Sequence, residues 1–349
     1  MRWTCTLLVL ATLVARPAAA EPKPEISTAR RAGAIAAAIF PGVVVRGLGS
    51  YLVGEKRAAK RLLYSAAAGG ALMATGGAFV GATGGNPYVV WPQVPLLLVG
   101  TGAFVSSWFT DIYVAAGGGE IDAHPRALPP FSVEASMSWQ HDAYRERALA
   151  GAAGRFEVGR VGLAASGLFH TGGDAALVDL DAHVRILGAP ATGEVITSGS
   201  RLYARIGGRW YREKPDDLTQ FVAEVEVSGR YDLASLDPAL GPTFFEAATG
   251  IGALRATYAS TTHDWGSELL GGFGWGVYVG TRGEVKAFYE HRRDGLVGGI
   301  AAYRAAGFVG SVGGIVDLRV AGPWGVRAEL DIGNAWLSTL ALVYRGGPP

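Results

Sequence analysis

One stretch of the chain concentrates groups that could do acid–base chemistry: Tyr289-Glu290-His291-Arg292-Arg293-Asp294-Gly295. An imidazole beside carboxyl groups is a general-base candidate, because its ordinary pKa lies close to neutrality. Ser311, on the next patterned segment, would supply a nucleophile, with Glu290 or Asp294 orienting His291. No GxSxG motif surrounds Ser311, and strand-end loops gather charge for reasons of solvation alone. The solvated loop is therefore favoured over the catalytic set. The remaining histidines (His124, His141, His170, His183, His263) show no metal-ligand spacing such as HExxH. His141-Asp142 and His263-Asp264 read as solvated turns. No metal site, phosphate-cradling loop or cofactor is expected.

A second population of ionisable residues is spread along alternating segments. Asp179, Asp181, Arg185, Arg201, Arg205, Arg209, Glu224, Glu226, Arg230, Asp317, Arg319, Arg327, Glu329 and Asp331 each follow an apolar neighbour or precede one. On one face of a closed sheet they would line a polar interior. That lining would be either a path for small polar solutes or a salt-bridged plug. The plug is favoured, since ten to twelve strands enclose little space.

The elements that must carry these residues have period two from about residue 131 onward. Phe221, Ala223, Val225, Val227, Gly229 and Tyr231 form one face of a segment whose other face is Val222, Glu224, Glu226, Ser228, Arg230 and Asp232. Trp324, Val326, Ala328, Leu330 and Ile332 alternate in the same way with Arg327, Glu329 and Asp331. Further strands are expected near 131–140, 178–186, 202–211, 244–258, 269–279, 284–292, 308–320 and 336–344. Phe156 and Val158 are followed by a one-residue phase slip before Val161, Leu163, Ala165 and Phe169, which reads as a bulge. The count is then eleven, with 192–198 and 296–303 as candidates for a twelfth strand. Aromatics near strand ends (Trp139, Phe169, Trp210, Tyr231, Tyr258, Trp265, Tyr278, Trp324, Trp336, Tyr344) suit the girdles of a membrane-spanning barrel.

The first half is patterned differently. Residues 1–20 have a signal peptide's form: Arg2, a short apolar core, and Ala18-Ala19-Ala20 before Glu21. The only cysteine, Cys5, lies within that segment, so disulfides and cysteine metal sites are not expected beyond it. After an apolar stretch at 32–45 and a basic turn at 55–61, two uncharged runs cover 62–80 and 88–110. Each has the roughly 20 residues that cross a hydrocarbon core. A transmembrane hairpin and a small helical bundle docked on a barrel both fit. Residues 118–130, which begin within the run Gly117-Gly118-Gly119 and hold Pro125, Pro129 and Pro130, read as a linker between a helical module (21–117) and a β-domain (131–349). Lys and Arg total 31 against 30 Asp and Glu, so no basic excess suggests nucleic acid.

These strands, behind an export signal, resemble bacterial outer-membrane β-barrel proteins over about residues 131–345. The last strand ends on an aromatic, as theirs does, but Arg345-Gly346-Gly347-Pro348-Pro349 extends past it. The resemblance implies an antiparallel up-and-down transmembrane barrel of 10–12 strands, preceded by the small hydrophobic α-helical module. It also implies a Gram-negative outer-membrane location, membrane lipids as surroundings and small polar solutes as candidate cargo. Some outer-membrane lipid hydrolases carry a Ser/His/acid set on the outer wall, which is the alternative role for His291 and its neighbours. A further alternative keeps the helices in the inner membrane and turns the β-domain inside out around an apolar ligand. Separately, Pro41-Gly42 and Gly47-Leu48-Gly49-Ser50-Tyr51-Leu52-Val53-Gly54-Glu55 resemble the PG…GxGxxxxG segment of small bacterial hydrophobic helical-hairpin proteins, over about residues 41–65.

Overall fold

A computed structural model describes residues 26–84, 87–117, 125–142, 145–236, 240–258, 262–292, 296–297 and 310–347. Residues 1–20, where a signal peptide is expected, Asp294 and most of 296–303 lie outside the described residues. Four helices come first: α1 (Thr28–Ile39), α2 (Leu48–Leu52), α3 (Lys56–Ala82) and α4 (Pro87–Ala115). Twelve strands follow: β1 (Phe131–His141), β2 (Glu146–Val158), β3 (Val161–His170), β4 (Ala175–Leu187), β5 (Arg201–Glu213) and β6 (Leu218–Asp232). The second half comprises β7 (Thr243–Tyr258), β8 (Thr262–Tyr278), β9 (Gly283–His291), β10 (Ser311–Ala321), β11 (Trp324–Ile332) and β12 (Trp336–Gly346). Each pairs antiparallel with its sequence neighbour, and β1 closes on β12.

Closure turns alternation into an inside and an outside. In β6 Phe221, Val225, Val227 and Tyr231 are exposed on the convex face, while Glu224, Glu226 and Arg230 are buried. The apolar face is the outer one, which excludes the inside-out arrangement. Most outward positions carry Val, Leu, Ile, Ala, Gly or aromatics, with Arg212, Thr249, Arg255, Ser267 and Ser338 among the exceptions. Phe131, Trp324 and Tyr344 cluster on the outside at the terminal end, where β1 starts and β12 finishes. Trp139, Trp265 and Trp336 are exposed toward the distal end. Phe131 and Trp139 bound a strand segment that rises about 26 Å, or roughly 20 Å along the axis once tilted, close to the apolar band of outer-membrane barrels.

The supposed bulge at 158–161 is a hairpin. Val158 pairs with Val161 across the two-residue turn Gly159-Arg160, and Gly159 adopts φ +60°, a left-handed conformation open to glycine. The strand missing from the sequence reading is thus β2, and 192–198 is loop with one isolated bridge, Arg126 to Val195. Tyr258 and Tyr278 face inward, where Tyr278 donates to Asp232 at 2.6 Å, so neither belongs to a girdle. His263 and Asp264 lie within β8 rather than in a turn. Residues 55–61 are not a turn either, since Lys56 opens α3.

The helices pack beside the barrel, with α4 against the outer face of β7 and β8. Trp275 faces outward from β8 yet is only 5% exposed, because Gly102 of α4 lies against its indole nitrogen. α3 crosses α4 where Gly69 and Gly100 meet. A Cβ at Gly69 would stand 2.5 Å from the Gly100 carbonyl oxygen, and one at Gly100 2.7 Å from the Gly69 oxygen. α3 is long and apolar enough, by length and composition, to cross a membrane. The glycine motif has a packing role. Gly47 takes φ +82° ahead of α2, and Gly49 sits where a Cβ would meet the Ala38 and Ala115 methyls. Buried Asp111 of α4 accepts from the Gly49 and Ser50 amides at 3.2 and 2.7 Å and from the Ser50 hydroxyl at 2.6 Å. Arg46, also buried, stacks over Phe104 at 4.1 Å. Burial draws its pKa down to about 10, with Asp111 opposing.

Candidate functional site

Among the described residues the side chains with ionisable chemistry gather in the lumen, and the ladder registers stack them in layers. Leu218 of β6 lies level with Glu213 of β5 and Tyr258 of β7 at the distal end. Arg230 lies level with Arg201 and Glu246 at the terminal end.

The distal layer is apolar. Leu149, Leu177, Tyr211, Leu218 and Leu337 point inward from five strands and pack around Leu296 and Val297 of the β9–β10 connection. Hydrogen bonds to its carbonyls hold that connection in place: the Gln140 side chain donates through Nε2 to Leu296 at 2.9 Å, and the Asn334 backbone amide to Val297 at 2.8 Å. A charged rim sits above, where buried Glu213 receives Arg147 at 2.7 Å, Arg145 at 2.5 Å and the Tyr211 hydroxyl.

Below the apolar layer comes a band of shared ion pairs. Arg209 meets Asp179 at 2.8 Å, and Arg205 meets Glu226 at 3.0 Å and Glu224 at 3.3 Å. Arg292, just past β9, turns inward onto the same two glutamates at 3.2 and 3.0 Å and onto Glu290 at 3.0 Å. On strands β2 and β4 Glu157 holds Arg155 and Arg185, both at 2.9 Å, and lies 3.7 Å from His183. Sharing of this kind lowers the cost of desolvating each charge and fixes the side chains across strands.

Two cavities remain beneath this band. The first, of about 350 Å³, is lined by Arg155, Arg201, Arg230 and Lys286 against Glu226, Glu246, Glu290 and Glu329, a charge-balanced set. The second, of about 300 Å³, opens toward the terminal end and shares Arg155, Arg201, Arg230, Glu246 and Lys286 with the first. Between them Arg230 bridges Glu246 at 2.6 Å and Glu284 at 2.5 Å, and Lys286 reaches Glu246 at 2.9 Å. Arg327 bridges Asp317 at 3.0 Å and Glu134 at 2.8 Å, and Arg345 also reaches Asp317.

The ladder registers place all the ionisable residues singled out on the alternating segments on the lumenal side. Sequence reasoning did not single out Glu134, Glu157, Glu246, Glu284, Lys286 and Arg292 as part of that interior. Their strands were recognised or nearly so, and extending the same alternation through β7 and β9 would have found Glu246, Glu284 and Lys286. The hydrolytic set is not assembled. Ser311 pairs with Glu290 in register and both face the lumen, whereas His291 pairs with Gly271 and faces outward, its Nδ1 2.8 Å from the Tyr289 hydroxyl. Successive residues of a strand point to opposite faces, so the barrel wall separates His291 from Ser311. Asp294 lies outside the described residues. No group of three or more His, Cys, Asp or Glu side chains suited to a metal occurs among the described residues.

No family model matches the chain, and no curated protein matches it. Among solved structures it is similar to the KdgM porin in complex with disordered oligogalacturonate, with 6% identity over 61% of this chain and 98% of that one and a TM-score of 0.39. The NanC porin gives 7% identity, 61% and 99% coverage and a TM-score of 0.37. Omp33 of Acinetobacter baumannii gives 10%, 62% and 98%, and 0.33. At such values a functional reading has to come from the chain's own geometry.

Proposed function

We propose that the protein is an outer-membrane barrel that admits small polar solutes through a narrow, charge-lined lumen. One observation carries this reading: two adjoining cavities of about 350 and 300 Å³ share a polar lining inside a wall whose outer face is apolar. The cross-strand ion pairs alone would suit the salt-bridged plug favoured on the sequence, but a solute path also needs open space with polar groups to replace water, and the two cavities supply both. The apolar layer around Leu296 and Val297 forms the constriction, and the ion-pair band below it sets the width available to a solute.

The alternative of a lipid hydrolase draws no support from the arrangement of His291, Glu290 and Ser311. Uptake by proteoliposomes tests the conduit directly. Vesicles containing the refolded barrel should swell in isotonic solutions of small polar solutes such as glycerol or arabinose. Swelling indistinguishable from that of empty vesicles, with the barrel shown to be folded, would overturn it.

A further inference from the structure

The terminal cavity is net basic where its neighbour is charge-balanced. Eight arginines and Lys286 line it, against only Glu246, Glu284 and Asp317. Those carboxylates are already shared: Glu246 among Arg201, Arg230 and Lys286, and Asp317 between Arg327 and Arg345. The excess is contributed from several separate parts of the fold. Arg126 comes from the segment before β1 and Arg282 from the β8–β9 turn, while Arg319 stands near the end of β10 and Arg345 near the end of β12. Arg126 is itself positioned, donating to the Thr281 carbonyl at 3.0 Å and the Gly193 carbonyl at 3.2 Å. Convergence of guanidinium groups on a cavity costs mutual repulsion, which an anion would relieve.

We infer that this vestibule is a binding site for small soluble polyanions bearing carboxylate or phosphate groups. Arginine forks match both groups bidentately, and about 300 Å³ accommodates a molecule of the size of citrate or pyrophosphate. The lining belongs to inward positions and to the segment and turn at the mouth, so the barrel wall separates it from bilayer headgroups and a solute is the ligand. The site deepens the conduit reading by naming its solute class, but binding itself does not require conduction.

The test is calorimetric titration of citrate and of pyrophosphate into the refolded full-length barrel in zwitterionic nanodiscs at low ionic strength. Expected results are saturable binding of both, weakening with added salt, and no binding of spermidine. Arg282→Glu with Arg319→Glu should weaken citrate by on the order of tenfold or more, from the change of charge at close range. Arg282→Gln with Arg319→Gln should give an intermediate loss, and Leu340→Ala on the outer wall none. Each variant is first checked for the heat-dependent gel shift of a folded barrel. Absence of binding by both anions, or equal affinity in the charge-reversed variant, would overturn the site. Solute entry without anion binding would overturn the site and leave the conduit standing. Anion binding without solute entry would support the site and sink the conduit.

Discussion

Removing one carboxylate from the lumen tests whether its charges act as a network. Glu246 accepts from Arg230 Nε at 2.7 Å and from Lys286 Nζ at 2.9 Å, lies 2.6 Å from Arg230 Nη2, and has Arg201 at 3.6 Å. Glu246→Gln keeps the shape and one carbonyl acceptor but deletes the charge that balances three cations. Breaking a buried ion pair from one side costs about 3–5 kcal/mol, because the partner charges stay desolvated. Arg230 retains Glu284 at 2.5 Å, which places the expected loss near the lower end, about 3 kcal/mol. The exposed pair between His141 and Glu146, at 3.0 Å, supplies the control, and Glu146→Gln should cost no more than about 1 kcal/mol. Urea unfolding in detergent micelles, followed by tryptophan fluorescence and by gel mobility, measures both. A loss for Glu246→Gln below about 1 kcal/mol, equal to the control, would refute the view that the lumenal charges are coupled and desolvated.

Two other perturbations follow from the packing. Replacing Leu149 and Leu337 together with alanine opens the distal apolar layer, and solute entry into proteoliposomes should rise. Stability should fall by at least about 2 kcal/mol per site in a closely packed layer, and unchanged entry would remove the constriction from the account. Gly100→Val places side-chain atoms against the Gly69 carbonyl and the Met73 amide of α3. Limited proteolysis should then release the helical hairpin while the β-barrel keeps its heat-dependent gel shift, and an intact hairpin would contradict the crossing.

The barrel was largely legible because its strands have high contrast. β6 and β11 set Phe, Val, Leu, Tyr, Ile or Trp against Glu, Arg or Asp at most steps, so the period and the two faces are visible together. β2 escaped for the opposite reason. Its outward positions Ala148, Ala150 and Ala152 face away from Gly151 and Ala153, and both sides are small. Its turn was misread through parity: in a two-residue hairpin the paired residues stand three apart, so both keep the same face while the period-two phase shifts by one. A bulge makes the same shift. The apolar distal layer was beyond reach because it assembles single residues from six strands and a connection, which only the registers bring level. The candidate His/Ser/acid set failed on the same parity that revealed the strands. Glu290 and His291 are consecutive in β9 and must therefore part company across the wall. The position of α3 and α4 was open as well, since small-residue faces suit a helix partner and a sheet alike until Trp275 meets Gly102.

Conductance across a planar bilayer tests the central claim most directly. Purified protein, shown folded by its heat-dependent mobility, should insert and produce discrete current steps in potassium chloride. Under a salt gradient the reversal potential should report a preference for chloride, as the basic vestibule requires. A folded, inserted barrel that passes no current in repeated trials would contradict the account and leave the charged lumen as a plug.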